Sequence, residues 1–175
     1  MVRVVISGPP GSGKTTQAKL LAEHYNLKYF SAGLVFRDIA RERGLTIEEL
    51  SLMALEDPSI DLEVDRRTYE AAREDNIVID GHLAAWIVSD LVDFRVYITA
   101  PLTLRVLRIA SRDKVPLEKA LRETLIRENS QRKRFMDIYG VDTNDLSIFD
   151  LVINTKNMGI KESFETIKKA LENRL

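Results

Sequence analysis

The chain is 175 residues long, with 26 Lys and Arg against 27 Asp and Glu and a formal net charge of −1. That length suits one domain with a sizeable core, and so even a balance argues against binding long nucleic acid by bulk charge. The sequence holds no cysteine, which excludes disulfides, cysteine-held zinc and thiol nucleophiles together.

In chain order, Arg3 to Ser7 reads as a buried strand and Gly13 to Tyr25 as a helix with Ala18, Leu21, Ala22 and Tyr25 on one face. Lys28-Tyr29-Phe30 is a short strand. Ser31 then caps a helix running to about Arg43, where Gly44 ends it. Thr46 and Glu49 form a capping box for a helix expected to end near Asp57-Pro58, and a further helix spans Ile60 to Arg73. Ile77-Val78-Ile79, closed by Asp80-Gly81, has the character of a buried parallel strand. Arg95 to Thr99 is the fourth strand. Leu102 to Arg112 and Leu117 to about Ile138 are helical, with Leu117, Leu121 and Leu125 at intervals of four. Leu151-Val152-Ile153 is the fifth strand, and the last helix carries Ile160, Phe164, Ile167 and Leu171 on a stripe expected to pack on the sheet.

Strands alternating with helices predict an α/β fold: a five-stranded parallel sheet, helices on both faces, and ligands at the carboxyl ends of the strands; the glycine-rich run from Gly8 to Thr15 after the first strand makes it a sheet of P-loop type. The longest apolar stretches fall far short of a membrane span and the N-terminus reads as a strand rather than a signal peptide. A soluble cytoplasmic protein with no membrane partner is expected.

Gly8-Pro9-Pro10-Gly11-Ser12-Gly13-Lys14-Thr15 fills the pattern G-x-x-x-x-G-K-[ST] directly after Val4-Val5-Ile6. Glycines there let the backbone N–H groups turn inward as a nest for phosphates, and the helix that follows adds its positive end. Lys14 is expected to reach the β/γ oxygens, the Thr15 hydroxyl to ligate Mg²⁺, and Thr16 to border the same nucleotide. The implied ligand is a nucleoside triphosphate with magnesium. Asp80 stands where such proteins place the carboxylate that orients the magnesium shell through water; the other reading of Asp80-Gly81 is a strand-end turn.

A phosphate loop alone does not separate kinases, GTPases and motor ATPases. Thr155-Lys156-Asn157-Met158 begins like the guanine-reading [NT]-K-x-D motif and lacks its Asp, and 175 residues leave little room for a motor's partner surface. Ser31-Ala32-Gly33-Leu34-Val35-Phe36-Arg37 resembles the S-x-G-x-x-[FLY]-R segment of nucleoside monophosphate kinases, which implies an acceptor site holding Ser31 and Gly33, with Arg37 on the acceptor phosphate. Arg37 as a solvated helix residue is the plainer alternative. Seven arginines follow: Arg105, Arg108, Arg112, Arg122, Arg127, Arg132 and Arg134. Arg108, Arg112, Arg127 and Arg134 are assigned to the transferring phosphate, delivered by a closing lid, whereas Arg105 and Arg122 are expected to pair with nearby acids.

Several further blocks extend the resemblance. They are Asp57-Pro58-Ser59-Ile60-Asp61 with Asp65 and Arg67, Arg127-Glu128-Asn129-Ser130 with Arg134-Phe135, Tyr139-Gly140-Val141-Asp142, and Asp150-Leu151-Val152-Ile153-Asn154-Thr155. The chain thereby resembles the archaeal-type cytidylate kinases of the P-loop nucleoside monophosphate kinase family. The resemblance implies ATP-dependent conversion of CMP, and dCMP, to the diphosphate, with the Mg²⁺ already expected at the phosphate loop; a monomer is expected. The resemblance also implies a core at 1–30, 76–112 and 139–175, an acceptor-binding insertion at 31–75 and a lid at 113–138.

Two departures stand out. Adenylate kinases follow the Asp-Gly of this strand with F-P-R, but here His82-Leu83-Ala84 follows and no arginine occurs between Arg73 and Arg95. Cytidylate kinases often place Arg directly after this Gly as an acceptor-phosphate ligand. Here it is His82, which either donates to the phosphate or is a core or turn histidine. Asp61 and Asp65, four apart on one helical face, can supply a carboxylate that accepts from the cytosine amine, or they form an exposed acidic face with Arg66 or Arg67. The alternatives are a kinase for AMP, UMP or a metabolite, and a nucleotide-dependent RNA-binding or regulatory module.

Overall fold

Val4, Val5 and Ile6 are wholly buried because they form the middle of the central strand, β1 (Arg3–Ser7), flanked by β3 (Ile77–Asp80) and β4 (Phe94–Thr99). β2 (Lys28–Ser31) pairs beyond β3 and β5 (Leu151–Asn154) beyond β4. The resulting order β2-β3-β1-β4-β5 is parallel throughout, the P-loop type of sheet that the sequence predicts. The computed structural model describes residues 1–174; Leu175, the end of the expected core range, lies outside the described residues.

The central strand is apolar on both faces because both are covered. On one side α1 (Lys14–His24) and α8 (Ile160–Glu172) press Ala18, Leu21, Ile167 and Leu171 onto Val4, Val78, Val96 and Ile98. On the other, α4 (Ser59–Ala72) and α5 (Ala84–Val88) press Ala71, Ala72, Ala84 and Val88 onto Val5, Ile77 and Ile79. α5 is absent from the sequence reading: five residues are too few for a helical period to emerge.

Between β2 and β3, α2 (Ala32–Glu42), α3 (Ile47–Met53) and α4 gather a separate apolar cluster that includes Phe36, Ile39, Leu50, Ile60 and Val64. The Thr46–Glu49 capping box is formed. α3 nevertheless stops at Met53, short of Asp57, whose carboxylate instead accepts from the Ser59 backbone N–H at the start of α4. Between β4 and β5, α6 (Leu102–Asp113) and α7 (Leu117–Tyr139) pack over Val106, Ile109 and Ala120.

Two expected apolar stripes are corrected. Leu117, Leu121 and Leu125 are exposed, and α7 buries Ala120, Thr124, Glu128 and Phe135 instead. A strict four-residue repeat advances about 40° per step around a helix, so a run of leucines at that spacing rotates away from any fixed contact face. Ile160, the first residue of α8, is 63% exposed rather than packed on the sheet. No helix among the described residues is long and apolar enough to cross a membrane.

Candidate active site

The parallel register brings Ser7, Ser31 and Asp80 to one edge of the sheet, Asp80 lying opposite both Ile6 and Ser31. The phosphate loop leaves β1 at that edge and must bend sharply. Gly11 has φ +76 and lies so close to α6 that an added Cβ would sit 2.6 Å from the Arg105 carbonyl oxygen; Gly13 has φ +99 and caps α1. Only glycine adopts these conformations without strain. The loop is also tied down: the Gly8 N–H donates to the His82 carbonyl at 3.2 Å, and the Ser12 N–H to that of Pro9 at 3.3 Å.

A cleft of about 490 Å³ opens over this loop. Pro10, Gly11, Ser12, Gly13, Lys14, Thr15 and Thr16 line it, whereas Gly8 and Pro9 are buried beneath. Of the cations that line it, Lys14, Arg37, Arg112 and Arg127 stand close enough to act on one another. Burial lowers the Lys14 ammonium to about 8, as do the three arginines, while Asp80 works the other way. The Arg127 guanidinium is lowered to about 10 by burial and by Arg37 and Arg112, and its buried Nε has no partner among the described residues. Positive charges held together at a desolvation cost create a site for a polyanion.

Asp80 is engaged on one oxygen only. Its Oδ2 accepts from Thr15 Oγ1 at 2.6 Å and from the Tyr29 hydroxyl at 3.0 Å, while its Oδ1 is buried without a partner among the described residues. An orphaned hard oxygen beside a threonine hydroxyl, facing a phosphate site, fits Mg²⁺, which keeps most of its waters and takes few protein ligands.

A narrower pocket continues past His82, lined by Gly33, Phe36, Asp61, Asp65, Arg127 and Gln131 among others. His82 Nδ1 lies 2.6 Å from Gln131 Oε1. An amide oxygen only accepts, so in this assignment Nδ1 carries the proton and Nε2 is an acceptor. Burial holds the ring neutral, down to about 3, with Lys14, Arg127 and Arg105 adding to the effect.

Comparison of the sequence with known proteins gives its family. The sequence profile of the cytidylate kinase-like family matches residues 3–157. The chain belongs to that family. The cytidylate kinase of Desulfurococcus amylolyticus is 66% identical over 173 residues, spanning 98% of this chain and 94% of that protein. That of Staphylothermus marinus is 58% identical over 172 residues, spanning 98% and 97%. Among solved structures, an uncharacterized protein from Eubacterium ventriosum superposes with a TM-score of 0.74 at 21% identity, covering 99% of this chain and all of that one. The shikimate kinase from Acinetobacter baumannii in complex with shikimate gives 0.63 at 18%, covering 100% and 96%. Likenesses at that identity speak for the fold.

Within this cytidylate kinase-like chain the arginines assigned to phosphate divide. Arg112 and Arg127 border the cleft, Arg112 also pairing with Asp113 at 2.7 Å. Arg108 borders it too, but its guanidinium donates to the Gly11 and Ser12 carbonyls at 3.2 and 3.3 Å and to Thr155 Oγ1 at 3.1 Å, bracing the loop. Arg134 lies elsewhere. Only 3% exposed, it forms a bidentate pair with Asp61 and donates to the Ser51 carbonyl and to Ser130 Oγ. Four hydrogen bonds to three residues occupy its guanidinium, so it is not free for the transferring phosphate. Arg105 pairs with Glu128, as expected, but in the interior, and holds the Pro10 carbonyl at 3.0 Å. Ser31 serves as the α2 cap, its Oγ accepting from the Leu34 N–H at 3.3 Å.

Sequence reasoning missed Tyr29, placed there only in a short strand, and Gln131. Gln131 had a signal: it lies one helical turn after Arg127 and so on the same face of α7. Tyr29 had none, because its partner Asp80 is 51 residues away.

Proposed function

We propose that this chain transfers the γ-phosphoryl group of ATP to the phosphate of CMP, and of dCMP, yielding the diphosphate. The observation that carries the reading is the convergence of Lys14, Arg37, Arg112 and Arg127 on one cleft, with Arg37 and Arg127 meeting no carboxylate among the described residues. Two polyanions repel, and bringing them into line requires this much fixed positive charge.

Each side chain has a separate task. The loop amides and Lys14 hold the donor's β- and γ-phosphates, and Arg37 with Arg127 grips the acceptor phosphate. Arg112, at the end of α6, meets the charge that spreads over the moving group. Thr15 Oγ1 and Asp80 Oδ1, the latter through water, would hold Mg²⁺, which when bound neutralises the donor oxygens. His82, neutral and with its proton turned to Gln131, presents a lone pair and is unsuited to a phosphate; that contact falls to Arg127.

The acceptor base enters the narrow pocket. Asp61 has both oxygens taken by Arg134, which leaves Asp65 to accept from the cytosine amine. Uracil presents a carbonyl at that position, and an unmatched buried polar group costs about 1–3 kcal/mol, so CMP should be preferred to UMP by roughly tenfold to a hundredfold.

The regions 31–75 and 113–138 act in this reading as acceptor-binding insertion and lid. The experiment is ADP release measured with CMP, dCMP, UMP and AMP at equal ATP. Turnover should require an acceptor and CMP should lead. An AMP lead overturns the cytidylate reading, and no turnover with any acceptor overturns the kinase.

A further inference from the structure

Asp65 lies between two cavities, and what holds it comes from a distant part of the chain. It borders the narrow acceptor pocket on one side. On the other it borders an open groove with Trp86 and Tyr139. Asp61, one turn earlier on α4, is saturated by Arg134, whereas Asp65 forms no ion pair among the described residues. Its one side-chain hydrogen bond comes from the Tyr139 hydroxyl, 2.7 Å from Oδ2. Tyr139 is the last residue of α7, which Gly140 ends at φ +64, and its ring packs against Phe135 with centroids 5.3 Å apart. The phenol is therefore anchored by its ring and aimed by the helix end.

A carboxylate without a cation partner rotates freely unless a donor holds one oxygen. We propose that Tyr139 is a positioning residue for acceptor base choice: its hydroxyl occupies Asp65 Oδ2 and leaves Oδ1 as the acceptor presented to the base. The proposal rests on the reading that Asp65 meets the base.

Protonation supports the same assignment. Burial raises the Asp65 carboxyl to about 7, with Asp61 adding to the rise, while the Tyr139 hydrogen bond and Arg134 oppose it. His82 and Arg127 line the same pocket. Below that value the carboxyl presents an O–H donor, matched to the uracil carbonyl rather than to the cytosine amine. Without the hydroxyl the carboxyl keeps its proton to higher pH.

The test is the ratio of kcat/KM for CMP to that for UMP between pH 5.5 and 8.5. A ratio cancels ionisations common to both reactions, including that of the acceptor phosphate. In the unaltered protein it should fall as pH drops through about 7. Tyr139→Phe keeps the ring on Phe135 and should lower the ratio about threefold to tenfold at pH 7.5, through a higher KM for CMP at little-changed kcat, with the inflection moved to higher pH. A flat profile in the unaltered protein, or a Tyr139→Phe variant with unchanged KM, ratio and inflection, overturns the proposal. Asp65→Asn separates the two layers. If it changes the ratio and Tyr139→Phe does not, only the role of Tyr139 falls; if it leaves the ratio unchanged, the base reading falls and the proposal with it.

Discussion

Thr15 Oγ1 donates to Asp80 Oδ2 at 2.6 Å, joining the first turn of α1 to the end of β3 across the floor of the cleft. The same carboxylate oxygen takes the Tyr29 hydroxyl, so that Oδ1 alone is left for a ligand. Asp80→Asn replaces that charge with an amide and should lower kcat about a hundredfold at saturating magnesium, while metal-free nucleotide binding changes little. Titrating activity against Mg²⁺ for both proteins checks it, and an unchanged magnesium dependence would remove Asp80 from the metal site.

Lys14 sets a pH limit on donor binding. With the ammonium at about 8, well below its ordinary range, the charged form prevails at pH 7 and is lost as pH rises past 8. Triphosphate binding favours the charged form, so above pH 8 it must take up a proton and weaken, by up to tenfold per pH unit. Calorimetry at pH 8.5 in buffers of different ionisation enthalpy should detect the uptake. Lys14→Ala should abolish it and lower kcat about a hundredfold or more with the fold intact.

Arg37 is exposed on α2 across the cleft from the phosphate loop and has no ion-pair partner among the described residues. Arg37→Ala should raise KM for CMP about tenfold or more and leave ATP affinity nearly unchanged. Separate titrations of the two nucleotides decide the point, since an ATP-only defect reverses the assignment.

Arg134 and Asp61 are a buried pair joining α7 to α4. Arg134→Leu strands the carboxylate in the interior and should destabilise the protein by about 3–5 kcal/mol. The double change Arg134→Leu with Asp61→Leu should recover most of that loss in stability, because no charge remains to be desolvated. Urea unfolding of the single and double variants measures both. A double variant as unstable as the single would show that packing, not charge, makes the difference.

The same pair limits which part of the proposed lid, residues 113–138, is expected to move. The C-terminal half of α7 is held by the buried Arg134–Asp61 pair and by Tyr139, while among the described residues Asp113 pairs only with its neighbour Arg112, and the N-terminal half of α7 reaches α3 through the Arg122–Glu48 pair, 3.6 Å apart with Arg122 exposed. A bisubstrate inhibitor should therefore slow amide exchange most over residues 113–125 and little around Arg134, which should already be protected. Equal slowing along the helix would count against this division.

Among the described residues, the phosphate loop, the five strands and seven of the eight α-helices were legible in the sequence because each is written in neighbouring residues. The spacing of Gly8, Gly13, Lys14 and Thr15 encodes a loop of fixed geometry. The β-branched runs at Val4 and Ile77 encode strands covered on both faces, and Ser31 and Thr46 encode helix starts. Asp80 was expected at the phosphate site because parallel strands present ligands at their carboxyl ends, and Arg37 because its segment resembles that of nucleoside monophosphate kinases.

What the tertiary structure alone decided is the partner of each charged group. Asp61 and Arg134 are 73 residues apart, Asp65 and Tyr139 are 74 apart, and Arg105 reaches back 95 residues to Pro10. In the sequence, Arg108, Arg112, Arg127 and Arg134 are alike; in the fold Arg134 is buried, Arg108 braces the loop and Arg112 and Arg127 face the cleft. The reason is physical. Backbone hydrogen bonding and apolar periodicity act over a few residues, whereas the fate of a guanidinium depends on which carboxylates and carbonyls the packed helices bring within about 3 Å, and that is settled only when the sheet has fixed where each helix lies.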